Sequence, residues 1–377
     1  MNTQHFSELT RSDYTEFIYD TTCFGEPVDS ENESDIIKGI NRAIELESHP
    51  MFLEGLSERL SELGDSCTVE DTDTMLAEVK SRYNYILKKA CPRTVIEWIK
   101  GTTPGASNRQ NNYELCYALE MDFKQTAVFF QKHFLTLPFN AKSKVDAVFM
   151  YCLYHNKPYD VVRKMLDETK CFVSQENAHT STSQIITRIF ETDDDAEFIG
   201  YLADHCYDNE QQFQLARKHI FDEVNILQEY LKKYESEQIL STKRLNSLTL
   251  EKLLGFSYQK TDKKLKNSIL PKHFTQSLPD DVSFGKILNG DIASYDLLRK
   301  TLMLLKFYNF YCYADNDEPE NVYSNLMDFY SELNSVLFSC GFAQLYVRHP
   351  FDCLLMYCTN SSDPIDTMYC VIENGRN

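Results

Sequence analysis

The chain has 377 residues, of which only 12 are Gly and 11 Pro. That is roughly half the usual combined share of about 12%, which excludes folds built on frequent tight turns: β-sandwiches, propellers and Gly-rich nucleotide-binding α/β domains. Hydrophobic residues make up 42% and the net charge is −19, too apolar for a disordered chain and too acidic to attract nucleic acid through its long-range field.

No run of about 18 apolar residues occurs, so no membrane-spanning helix is expected. The start, Met1-Asn2-Thr3-Gln4-His5, has neither a basic cluster nor an apolar stretch and does not read as a secretory signal. The 12 cysteines are scattered without a Cys-x-x-Cys pair, which predicts reduced thiols acting as small hydrophobes in a cytoplasmic protein. The expected fold class is all-α, in several parts: an acidic segment 1–73, a module with a helical hairpin over 74–173, a middle region 184–260 and a C-terminal domain 278–377.

Charge is unevenly distributed along these parts. Residues 1–73 carry a net −14, whereas 77–109 carry +5, from Lys80, Arg82, Lys88, Lys89, Arg93, Lys100 and Arg109 against Glu78 and Glu97. An acidic segment next to a basic one suggests electrostatic competition with an anionic ligand.

In chain order, Ile36, Ile37, Ile40, Ala43 and Ile44 recur at helical spacing over Glu33–Glu47. Pro50 ends that helix and Gly64-Asp65 ends the next, Met51–Leu63. A third is expected from about Thr74 to Ala90, behind acidic N-cap candidates at Asp71–Asp73. Pro92 then suits the first turn of a short helix that Gly101 terminates. Ala141–Asp167 reads as a helical hairpin turning at Asn156-Lys157-Pro158, with no period of 34 or 40 residues around it. Ser174–Ser183 is a polar linker, and Gln212–Leu240 one long or broken helix. The last helix has Asp363 as N-cap, Pro364 at its first position and Gly375 beyond its end.

Residues 85–119 read YILKKACPRTVIEWIKGTTPGASNRQNNYELCYAL. This stretch resembles the Cro/repressor-type helix-turn-helix: Arg93–Gly101 matches the recognition segment that ends near W-x-x-G, and Tyr113–Leu119 matches the helix that follows. The resemblance implies a DNA-binding regulator of bacterial type that engages double-stranded DNA. Val95, Trp98 and Ile99 would be buried, while Arg93, Thr94, Glu97 and Lys100 face or flank the groove. Lys88, Lys89, Ser107, Asn108 and Arg109 would contact phosphates, and Arg93 would make a bidentate contact with guanine. The pattern departs from the family at Tyr85 and Lys89, where a small residue and a glycine-like turn belong. An internal echo, Ser283–Gly290, parallels Thr94–Gly101 but is flanked by Asp280, Asp281, Asp291 and Asp296. This second copy would serve packing or oligomerisation.

Catalytic signatures are missing from the sequence. Cys152-x-x-His155 and His205-Cys206 lack partner pairs at zinc spacing, and there is no Gly-rich phosphate loop, nucleophile elbow or H-E-x-x-H. No catalytic residue, metal or cofactor is therefore expected. Arg42 and His49 just meet the spacing of helical HEPN-type ribonucleases, which makes an RNA-cleaving effector the least favoured alternative. The other alternative is a non-enzymatic interaction scaffold whose helical body binds a protein partner or a second copy of the chain.

Overall fold

The computed structural model describes residues 27–48, 51–102, 104, 108–172, 180–234, 268–291, 293–313 and 322–375. Helices account for the architecture, and among the described residues no strand forms beyond two isolated bridges. No described helix is long and apolar enough to cross a membrane. The described residues divide into two compact units, the first within 51–211 together with Gly341–Ala343, and the second made of residues 27–48 and the described parts of 212–340 and 344–375.

In the first unit the helices are α2 (Met51–Glu62), α3 (Thr72–Ile86), α4 (Arg93–Ile99), α5 (Arg109–Ala118), α6 (Phe123–His133), α7 (Lys144–Tyr154), α8 (Tyr159–Glu168), α9 (Thr182–Glu191) and α10 (Asp195–His205). Consecutive helices pack as the pairs α3–α4, α5–α6 and α7–α8. In one layer α3, α5, α7 and α9 pack each on the next, while α4, α6 and α8 return against their own hairpin partners and α10 packs on α8.

Local chemistry sets a repeat of 36 residues. N-caps fall at Asp122, Pro158 and Asp194, and Glu120 and Asn156, each two residues before a cap, both adopt φ +51°. A left-handed residue there reverses the chain between paired helices, and the same bonds recur around it. Met121 N–H donates to Cys116 O at 3.0 Å, and Lys157 N–H to Cys152 O at 2.8 Å. The repeat escapes a search at 34 or 40 residues because its period lies between them.

In the second unit α1 (Glu33–Ser48) packs on α16 (Pro350–Thr359) and α17 (Pro364–Asn374). The others are α11 (Asn209–Tyr234), α12 (Lys272–Thr275), α13 (Asp281–Asn289), α14 (Tyr295–Tyr313) and α15 (Val322–Ser339), with α12 on α16 and α14 against both α15 and α17. Its core is Leu302, Leu305, Phe307, Phe329, Leu333, Leu354 and Leu355. Helix α17 has the caps expected of it: Asp363 accepts from Asp366 N, and Pro364 stands at the start. Gly375 is needed for proximity and not for a left-handed turn, since its φ is −79° and a Cβ there would lie 2.3 Å from Leu270 Cγ.

Candidate partner-binding face of the first unit

Helix α4 takes its orientation from three apolar residues. Val95, Trp98 and Ile99 are buried, and the indole packs edge-on to Phe52 at 6.1 Å and tilted against Phe134 at 6.0 Å. Burial of this size anchors a two-turn helix too short to be stable alone. The opposite face is left outward. The Arg93 side chain is 91% exposed, and its Nε lies 3.6 Å from Oε1 of Glu97, itself 46% exposed. Lys100 is exposed and caps the helix; Thr94 is partly exposed. An ion pair this open to water contributes little and leaves the guanidinium available.

The other residues expected at a duplex separate into different environments. Lys88 is exposed at φ +53°, its Nζ 4.9 Å from the ring of Tyr85, which is 76% exposed. Lys89 donates to the buried Glu114 carboxylate at 2.8 Å, which also accepts from Gln110 and from the Tyr159 hydroxyl. Its charge is therefore spent inside the unit. Asn108 precedes α5 and is partly exposed, while Ser107 lies outside the described residues.

Arg109 requires a correction. It is 7% exposed, and its Nε bonds both carboxylate oxygens of Asp146 at 2.9 and 2.8 Å. Nη2 donates to Leu137 O at 2.9 Å, and the guanidinium stands over the rings of Tyr113 and Phe130. Asp146 accepts further from Tyr113 OH at 2.6 Å and Asn140 N–H at 3.1 Å. A guanidinium enclosed in this way holds α5 to α7 and has no phosphate-facing side. The sequence could not expose this, because Asp146 lies 37 residues away.

The connection from α3 to α4 runs from Leu87 to Pro92. Tyr85, at the position of the small residue in the helix-turn-helix pattern, projects outward. The same packing of α4 between α3 and α5 is what the hairpin stack itself requires.

A recess lies between α2 and α6, a cleft of about 430 Å³ bordered by Glu58, Arg59 and Glu62 on one side and Lys124, Lys132 and His133 on the other, with Arg59 paired to Glu62 at 2.7 Å. Gly55 makes room for it to close at its base: a Cβ there would come within 2.5 Å of the His133 ring. Among the described residues no group of three or more His, Cys, Asp or Glu is placed to hold a metal. Cys152 is buried against Met165, and His155 is bonded to Ile189 O. Cys67, Cys91, Cys116, Cys152, Cys171, Cys206, Cys340, Cys353, Cys358 and Cys370 are free thiols. Arg42 pairs with Glu45 on α1, and His49 lies outside the described residues. No family model, curated protein or solved structure matches this chain.

Proposed function

We propose that the protein is a non-enzymatic interaction scaffold, whose stacked hairpins present an extended surface to a protein partner. The observation that carries this reading is the uninterrupted packing of α3, α5, α7 and α9 with caps stepped by 36 residues. Quasi-one-dimensional stacks of this kind generate long surfaces and recesses suited to other chains. The cleft between α2 and α6, lined by Glu58, Arg59 and Glu62 from α2 and by Lys124, Lys132 and His133 from α6, is the contact favoured for the partner.

Double-stranded DNA is the second reading, with a regulatory role to match. It is supported by the outward Arg93 and Lys100 and the exposed Lys88. Against it stand the neutralised Lys89 and the enclosed Arg109.

Affinity capture with the full chain, with and without nuclease, separates the two. A protein retained in stoichiometric amount after nuclease, and equally by Arg93→Ala/Lys100→Ala, supports the scaffold. Retention of nucleic acid alone, lost in that double variant, overturns it in favour of the regulator.

A further inference from the structure

We infer that the two units each contain a copy of one ancestral helical module, α4–α5 with α7–α8 in the first and α13–α14 with α16–α17 in the second.

The first correspondence is the short helix that opens each module. Val95 and Trp98 are buried on α4, as Phe284 and Ile287 are on α13, at identical spacing from a terminal glycine. Gly101 and Gly290 both take left-handed φ, +99° and +88°. Gly101 N–H donates to Trp98 O at 3.0 Å and Thr102 N–H to Glu97 O at 2.9 Å. In the second module Gly290 N–H donates to Ile287 O at 3.1 Å and Asp291 N–H to Lys286 O at 3.0 Å.

The second correspondence is chemical and lies in the interior. The helix after each glycine carries a buried arginine, Arg109 or Arg299, and each guanidinium is held by an aspartate at the third residue of a later helix, Asp146 or Asp352. Arg299 bonds the two oxygens of Asp352 at 2.9 and 2.8 Å. Each carboxylate also accepts the backbone N–H six residues before it, from Asn140 at 3.1 Å and Tyr346 at 2.9 Å. Each Nη2 donates again to a loop carbonyl ahead of the aspartate's helix, at Leu137 and Gln344. Amphipathic patterning repeats by chance in helical proteins; a buried ion pair whose carboxylate takes the backbone N–H at the same position six residues back does not follow from patterning.

The third correspondence is sequence. From the aspartates onward the segments read DAVFMYC and DCLLMYC, and Pro158 and Asp160 match Pro364 and Asp366 without a gap. Every residue of Asp146–Leu153 and of Asp352–Thr359 is buried. The paired tyrosines are both held by an added element. Tyr151 OH donates to Asp195 at the start of α10, and Tyr357 OH to the Asp35 carbonyl of α1. On the first module α9, which follows it in the chain, packs on α7; on the second, α1 from the N-terminal side packs on α16. Gly39 permits this approach, since a Cβ there would be 2.5 Å from the Tyr357 ring.

What differs between the copies is their outward face. Arg93, Glu97 and Lys100 correspond to Val282, Lys286 and Asn289, so the cationic character of α4 belongs to one copy only.

Hydrogen exchange on full-length Asp146→Asn and Asp352→Asn tests the inference. Each should lose about 100-fold protection or more, D146N in α5 and α7 and D352N in α14 and α16, as expected where a buried charge is left unpaired. Loss at one site with unchanged protection at the other would overturn it. Should either variant fail to fold, a crystal structure of the wild-type chain decides the matter. The two modules must superpose in chain order with Arg109–Asp146 falling on Arg299–Asp352; a different helix order, or Asp352 turned away from Arg299, refutes the duplication.

Discussion

The two units surround the same buried ion pair with different chemistry. In the first, Arg109 and Asp146 are sealed by Tyr113 and Phe130, and the residue after the arginine, Gln110, reaches Glu114. In the second, the residue after the arginine is Lys300, itself buried, with its Nζ donating to the carbonyls of His273, Phe274 and Gln276 and lying 4.8 Å from the Phe351 ring. The N-cap of the aspartate's helix changes likewise, from Ser143 to His349, whose Nδ1 lies 3.3 Å from Asp352, while the neighbouring His273 is paired to Glu47. One unit closes its clamp with aromatic rings and the other with titratable groups. Their stabilities should therefore respond differently to pH.

The largest expected effect comes from breaking either clamp. Arg109→Met and Arg299→Met should each cost about 3–5 kcal/mol in denaturant unfolding, because each leaves a carboxylate buried without its cation. If the clamps are equivalent, both substitutions fall in that range; a loss below 1 kcal/mol at either breaks the comparison.

Alkaline pH distinguishes the units next. Burial pushes the Lys300 ammonium down to about 8, so between that value and the ordinary lysine range the unfolded chain binds the extra proton. This group's contribution to stability thus rises with pH through that window. Lys300→Met removes the titration, and its deficit relative to wild type should grow by on the order of 3 kcal/mol from pH 7 to 10.5. Urea melts at the two values measure it; a constant deficit rejects the assignment. Buried thiols act in the opposite direction: burial raises Cys91 and Cys171 to about 11 and Cys340 to about 12. Their stabilising contribution is full below the ordinary thiol range and is lost as pH rises toward those values, so wild type and variant must be compared at each pH. On the acid side burial also lowers His349, against the pull of Asp352, and stability is lost as pH falls through the ordinary histidine range.

Smaller effects test the packing of the units. Gly39→Ala should cost about 1–3 kcal/mol by overpacking the Tyr357 ring, and proteolysis within α1 should accelerate. Unchanged cleavage would show that α1 is not held there. Arg93→Ala/Lys100→Ala should leave thermal stability within about 0.5 kcal/mol, since both side chains face solvent. A larger loss would place α4's outer face inside the packing of the unit.

Much of the helical order was legible because it depends on neighbours in sequence. Pro92 and Gly101 bound α4, and Asp363 with Pro364 opens α17, by rules acting within a few residues. Arg109 was misplaced for the converse reason: its environment is made by Asp146, Leu137 and Phe130, none of them local. The sequence pattern extends α3 to about Ala90, whereas the helix ends at Ile86, because nothing local marks the left-handed Lys88. Of the duplication, the echo of Thr94–Gly101 in Ser283–Gly290 and the match of DAVFMYC to DCLLMYC are both written in the sequence, but they stand at different offsets, so no single period joins them. The paired clamps are not legible there, because each joins an arginine to an aspartate distant in the chain.

Double-mutant cycles at both clamps test the account most directly, using Arg109→Met with Asp146→Leu and Arg299→Met with Asp352→Leu in the full chain. The account predicts favourable coupling at both pairs, on the order of 1–3 kcal/mol at each. Strong coupling at one pair with none at the other would contradict it.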